Sequence, residues 1–143
     1  MPYLLAVTVA PEDIDALDHA SNLVYLRWVQ DAATAHSAAV GLGLAEYRSA
    51  GRVFVVRRHT IDYLRPALLG ERLEVETRVT ALGAASSERQ TEIRRAGDAA
   101  VLARAVTGWA YIDLACGRPV RIPDDVRERF MLDPPFGGAG GGA

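Results

Sequence analysis

Leu23-Val24-Tyr25-Leu26-Arg27-Trp28-Val29-Gln30-Asp31-Ala32-Ala33-Thr34-Ala35-His36-Ser37-Ala38-Ala39-Val40 runs without a glycine or a proline and is rich in alanine. Alanine is the strongest helix former and nothing in the run breaks a helix, so the segment predicts one long α-helix. Ser21 or Asn22 can cap its start, and Gly41 and Gly43 can end it. Its apolar residues (Leu23, Val24, Leu26, Trp28, Val29, Ala32, Ala33, Ala35, Ala38, Ala39) extend around most of the helix, the pattern expected of a helix enclosed by other structure.

On the N-terminal side, Leu4 to Val9 is a short β-prone run closed by Ala10-Pro11. On the other side, Leu44 to Ala50 predicts a short helical turn, and from Val53 the period changes. Val53 to Tyr63 is β-branched and aromatic and is stopped by Pro66. Leu73, Val75, Thr77 and Val79 alternate with charged and polar residues, as in a half-buried strand. Ser87 to Arg95 predicts a more polar strand, Val101 to Asp113 a long final one, and Pro123 to Phe130 a short helix. A strand, a long helix and four strands joined by tight turns describe an α+β domain. Its expected form is a five-stranded antiparallel sheet wrapped around one central helix. The expected domain spans residues 1–133, and the Gly- and Pro-rich stretch 134–143 reads as a disordered tail.

The 143 residues are half apolar, which suits one compact domain with one core and leaves no room for two. A formal charge of −2, with arginines interleaved among acids, provides no basic field, so nucleic acid is not an expected partner. Cys116 is the only cysteine, which excludes an intramolecular disulfide and points to a reducing, cytoplasmic setting. Neither a signal peptide nor a membrane span is indicated. His36 and His59 lie far from His19 with no ligand spacing, so no metal site is expected. Ser86, Ser87 and Thr91 show no nucleophile-elbow pattern.

Functional-type residues are densest in Asp13-Ile14-Asp15-Ala16-Leu17-Asp18-His19-Ala20-Ser21-Asn22, with Tyr25 following after two residues. This loop ends at the N-terminus of the predicted helix, where unpaired N–H groups and the positive end of the dipole favour an anion or a developing oxyanion. A carboxylate beside such donors is the minimum apparatus for attack on a carbonyl. Asp and Asn are also the commonest turn and capping residues, so residue types alone leave both readings open.

The stretch from Asp15 to Trp28 resembles the signature of the 4-hydroxybenzoyl-CoA thioesterase-like branch of hotdog-fold proteins: Asp, two variable residues, Gly-His-Val-Asn-Asn, two variable residues, Tyr-Leu. Tyr63-Leu64-Arg65-Pro66-Ala67 followed by Gly70-Glu71 resembles the family's Tyr-x-x-Pro-Ala and Gly-Asp or Gly-Glu element. The similarity spans roughly residues 4 to 130. It departs from the signature at Asp18, where the family has Gly, at Ala20 for Val, and at Ser21 for the first Asn. Asp is one of the few residues that tolerates the positive φ a glycine there would supply.

The resemblance implies a hotdog fold and an acyl-CoA thioesterase that releases free acid and CoA, with no cofactor because coenzyme A is part of the substrate. It places the catalytic carboxylate on Asp15, as nucleophile or as general base for water, and the signature histidine on His19. The backbone N–H of Asn22 matches the oxyanion donor, and either Tyr25 or Trp28 would line the acyl pocket. The family's association implies a homodimer, paired into a tetramer, with His59 and Tyr63 set across a shared cleft. Gly83-Ala84-Ala85 lacks the basic residues some relatives use for CoA phosphates, which leaves Arg65, Arg89 and Arg94 as candidates. Two other readings are a non-catalytic acyl-CoA binding module and a hotdog enoyl-CoA hydratase. The latter's Gly-Asp-x-Asn-Pro and following His are not matched here.

Overall fold

The computed structural model describes residues 1–137. Among them the elements run β1 (Tyr3–Thr8), α1 (Asn22–Ala39), α2 (Leu44–Ala50), β2 (Arg52–Tyr63), β3 (Arg72–Leu82), β4 (Ser86–Arg95), β5 (Val101–Asp113) and α3 (Asp124–Arg129). The strands form one sheet in the order β1-β3-β4-β5-β2, with every neighbouring pair antiparallel. The strand before α1 and the strand after it therefore lie at opposite edges. No helix among the described residues is long and apolar enough to cross a membrane.

Sequence periodicity explains the strands. Leu73, Val75, Thr77 and Val79 of β3 are buried while the residues between them are half-buried, which is the alternation a sheet with one covered face requires. Glycine decides where α1 stops. Gly41 takes φ +86°, its N–H donates to Ala38 O, and the Leu42 N–H donates to Ser37 O at 2.8 Å. This paired closure satisfies carbonyls the helix end would otherwise leave unpaired.

The 18-residue α1 buries Val24, Tyr25, Trp28, Val29, Ala32, Ala33 and His36 against the sheet. Its remaining apolar residues do not complete an enclosed helix as expected: Leu23 is 77% exposed, and Ala38 and Ala39 are exposed as well. The sheet covers one side only, and alanine leaves little apolar area in water on the other. Around Trp28 the helix packs on Leu73, Val75, Ile93 and Leu102. A second cluster, built from Leu42, Val79, Tyr111, Ile122, Val126 and Phe130, fills the space beneath α2 and α3.

Beyond α3 the chain returns to the sheet. The Asp133 N–H donates to Val79 O at 2.9 Å, Arg78 Nη1 to Pro134 O at 3.2 Å, and the Phe136 N–H to Gln90 Oε1 at 3.2 Å. The Arg78 guanidinium also sits 4.0 Å from the centre of the Phe136 ring. The tail expected from Pro134 onward thus begins as a segment seated on β3 and β4, and its residues 138–143 lie outside the described part of the chain.

Candidate active site

Between β1 and α1, an antiparallel bridge from Ile14 to Ala20 closes the loop that carries Asp15 and His19. Inside it the Asp15 N–H donates to His19 O at 2.9 Å, the Asp18 N–H to Asp15 O at 3.1 Å, and the Leu17 N–H to Asp15 Oδ1 at 2.9 Å. Asp18 takes φ +62°, the left-handed conformation for which glycine is the usual choice, and here a short polar side chain tolerates it. Asp15 Oδ2 accepts no hydrogen bond among the described residues, and both Asp15 and His19 are exposed.

Buried groups fix this exposed loop from behind. Asp13 is 2% exposed; its Oδ2 accepts the Ala10 N–H and its Oδ1 accepts Arg27 Nη2, both at 2.9 Å. Its backbone oxygen takes the Ser21 N–H at 2.9 Å, while the Ala20 N–H donates to Ala67 O at 2.8 Å. The helix start is held in register by these bonds. Ser21 is the N-cap, its Oγ accepting the Leu23 N–H at 3.2 Å. The Asn22 N–H has no acceptor among the described residues, so a bare donor stands at the positive end of the helix dipole.

The facing wall comes from the Tyr63-Leu64-Arg65-Pro66-Ala67 element. The buried Tyr25 hydroxyl donates to Arg65 O at 3.0 Å and accepts the Ala67 N–H at 2.8 Å, tying α1 to this segment. Burial raises the Tyr25 pKa, with the Ala67 hydrogen bond opposing it. Tyr63 meets Tyr25 edge to face at 5.4 Å and donates to Asn22 O at 3.4 Å. Between the walls lies a cleft of about 520 Å³ bordered by Asp15, His19, Asn22, Tyr25, Tyr63 and Arg65.

The other sequence candidates lie elsewhere. Trp28 is 2% exposed in the core, so of the two helix aromatics it is Tyr25 that reaches the cleft. His59, on edge strand β2, pairs its Nδ1 with Thr107 Oγ1 at 2.9 Å, its Nε2 is buried without a partner among the described residues, and burial lowers its pKa. Arg94 is held by Glu76 at 3.0 Å and by Glu92 at 3.2 Å. Arg89 is 5% exposed beneath α1, where its Nη1 donates to His36 and Thr77. Neither arginine is brought to the cleft. Arg65 does border it, with Nη1 donating to Val101 O at 2.7 Å.

Leu17, Leu64 and Pro66 also border the cleft, and sequence reasoning did not single them out as site residues. The anchoring role of Asp13 was missed for a different reason. Its partner Arg27 lies fourteen positions on and one turn into the helix, so no short spacing pattern reveals the pair.

Residues 9–130 match the sequence pattern of the thioesterase-like superfamily. Among solved structures, a 1,4-dihydroxy-2-naphthoyl-CoA thioesterase from Synechocystis superposes with a TM-score of 0.84 at 24% identity, over 90% of this chain and 95% of that one. A Thermus thermophilus thioesterase complexed with coenzyme A and zinc gives 0.76 at 28% identity, over 89% and 95%. A Staphylococcus aureus protein in complex with CoA gives 0.85 at 16% identity, over 90% and 81%. The five-stranded antiparallel sheet with its helix is the hotdog fold of these proteins. On the match that runs through nearly the whole described chain, this protein belongs to the thioesterase-like superfamily.

Proposed function

We propose that the protein is an acyl-CoA thioesterase that hydrolyses its substrate at the cleft between the Asp15 loop, the start of α1 and Tyr63. One observation carries the reading: a carboxylate with an uncommitted oxygen and a helix N–H with no acceptor border the same open cleft. The thioester oxygen would be received by the Asn22 N–H, where the helix dipole stabilises the charge that develops on it. Asp15 then either attacks the carbonyl carbon, giving a mixed anhydride that water cleaves, or takes a proton from the attacking water. Both routes break the carbon–sulfur bond, and the thiolate leaves as CoA after gaining a proton. CoA bound to two structural relatives supports the substrate class.

A dimer completes this reading. Strand β2 is a sheet edge twelve residues long, and open edges of that length invite pairing with another chain. Leu23, Tyr63 and Leu64, at 77%, 45% and 48% exposure, stand beside the cleft and would be covered by a second protomer bearing His59 across it.

Thiol release from aromatic, short aliphatic and medium-chain acyl-CoAs tests the proposal. Turnover of at least one class is expected in the wild type, falling on the order of 100- to 10,000-fold in Asp15→Asn. Full activity in a folded Asp15→Asn protein would overturn the assignment of Asp15. Tight acyl-CoA binding without turnover by the wild type would instead make the chain a binding module.

A further inference from the structure

The far end of α1 holds a second cavity, of about 210 Å³, that shares no lining residue with the cleft at Asp15. Ser37, which borders it, stands fifteen residues along the helix from Asn22, roughly 22 Å at the α-helical rise. Leu42, Phe54, Val79 and Phe130 make most of its wall apolar. Arg89 also lines it, is 5% exposed, and has no carboxylate within salt-bridge distance among the described residues. Burying a cation without a counter-ion is costly.

The available donors are few and converge. Arg89 Nη1 donates to His36 Nδ1 at 2.9 Å and to Thr77 Oγ1 at 3.0 Å, which leaves Nε and Nη2 without an acceptor among the described residues. An arginine has no acceptor to offer, so His36 Nδ1 must be unprotonated and the imidazole neutral. Burial first, then the Arg89 charge, lowers the His36 pKa to about 4, whereas burial brings Arg89 down only to about 10. At neutral pH the cavity therefore holds one positive charge. Tyr47 and Ser37 are bonded to one another at 2.8 Å, with Ser37 Oγ donating onward to Leu42 O. A second open donor is Trp109 Nε1, which is buried and has no partner among the described residues. Because Ser87 pairs with Trp109 and Arg89 with Thr107, Arg89 and Trp109 are diagonal neighbours on one face of the sheet.

We infer that this cavity binds a small organic monocarboxylate with an apolar body, its carboxylate on the Arg89 guanidinium and within reach of the Trp109 N–H. A guanidinium edge matches a carboxylate in bidentate fashion, and the apolar walls accept a ring or a short chain. Volume sets the size, since a cavity on the order of 150 Å³ holds a benzene-sized molecule. A phosphate dianion would bring a second charge with no second cation to meet it. The inference concerns binding alone and does not depend on turnover at Asp15.

Titration of the isotope-labelled full chain with benzoate, hexanoate, benzamide and inorganic phosphate tests it, followed by the indole N–H resonances of Trp28 and Trp109, assigned with Trp109→Phe. Expected is a saturable shift of the Trp109 signal, with benzoate or hexanoate binding at least about tenfold more tightly than benzamide, a difference of about 1.4 kcal/mol, and no response to phosphate. Arg89→Gln should bind benzoate and benzamide equally, and Arg89→Lys should keep part of the preference. If Arg89→Gln does not fold, the wild-type comparison of acid with amide still decides. The inference is overturned by no saturable shift with either acid, by equal affinity for acid and amide, or by shifts confined to the amides of His19 and Asn22.

Discussion

At its N-terminus α1 faces Asp15 and His19, both exposed on an open cleft, whereas its C-terminal half carries His36 and packs on Arg89, which are 4% and 5% exposed. The signs suit the helix dipole at each end, acids near the positive end and a cation near the negative one. Their support differs in kind. The exposed acid is held by backbone bonds inside its own loop and by Asp13 behind it. The buried cation is held by a neutral imidazole and by Thr77, whose hydroxyl also accepts from Thr91. In the proposed reading one end thus spends its electrostatics on a reaction in contact with water, while the other holds a desolvated charge.

The largest separation between the ends should come from Asn22→Pro. Asn22 is the first residue of α1, a position where proline is well tolerated because its missing N–H has no helical partner anyway. Ser21 before it already has φ −61° and ψ 145°, which a following proline favours. The substitution removes the proposed oxyanion donor while keeping the helix. Thioester hydrolysis is expected to fall on the order of 100- to 1,000-fold, with a melting temperature close to wild type. An unchanged rate in the folded variant would detach the helix start from the chemistry.

At the other end the expected effect is on stability, and its direction follows from linkage. His36 has its pKa lowered from 6.5 to about 4, so between those values the unfolded chain binds the proton and the folded chain does not. The resulting stability is full above pH 6.5 and is lost as the pH falls toward 4, amounting to on the order of 3 kcal/mol. Arg89, the N-terminal ammonium and Asp133 are the charges that act on it. Denaturant unfolding at pH 7 and pH 4.5 should show a marked loss in the wild type and a clearly smaller one in His36→Gln. Equal acid sensitivity in both would place the titrating group elsewhere.

Asp13→Ala should come next in size. It removes the acceptor of the half-buried Ala10 N–H and of the exposed Arg27, and losing these two bonds to a carboxylate costs about 1–3 kcal/mol. Because Asp13 O still holds the Ser21 N–H, the helix should form while the loop ahead of it loosens. Activity is expected to drop along with stability, and the Trp109 indole signal should stay where it is. A shift there would show that the two ends are coupled.

Much of the architecture could be read in the sequence because it rests on local rules. The glycine-free run from Leu23 to Val40 defined α1 to within one residue at each end, and the alternation from Leu73 defined β3. The positive φ at Asp18 was legible too, since the departure from glycine fell on one of the few side chains that accept it. Long-range placement was not legible. Arg89, Arg94 and Arg65 are chemically alike in sequence, and only the sheet order sends the first beneath α1, leaves the second between Glu76 and Glu92, and brings the third to the cleft. The same holds for the exposed side of α1, because helical periodicity shows which residues are apolar and not which of them the sheet reaches.

Asp18 offers the smallest test and concerns the exposed end alone. Its φ of +62° is tolerated by Asp through local hydrogen bonding and is disfavoured for a residue with an ordinary Cβ. Asp18→Ala should therefore cost about 1 kcal/mol, while Asp18→Gly removes the steric conflict at the expense of a more flexible unfolded chain, for a net change within about 0.5 kcal/mol. Urea unfolding measures both. Activity then separates conformation from charge: if Asp18 matters only by holding the loop, Asp18→Gly keeps the wild-type pH profile of hydrolysis. If its carboxylate takes part in the chemistry, the rate of hydrolysis changes in Asp18→Gly although the loop is kept.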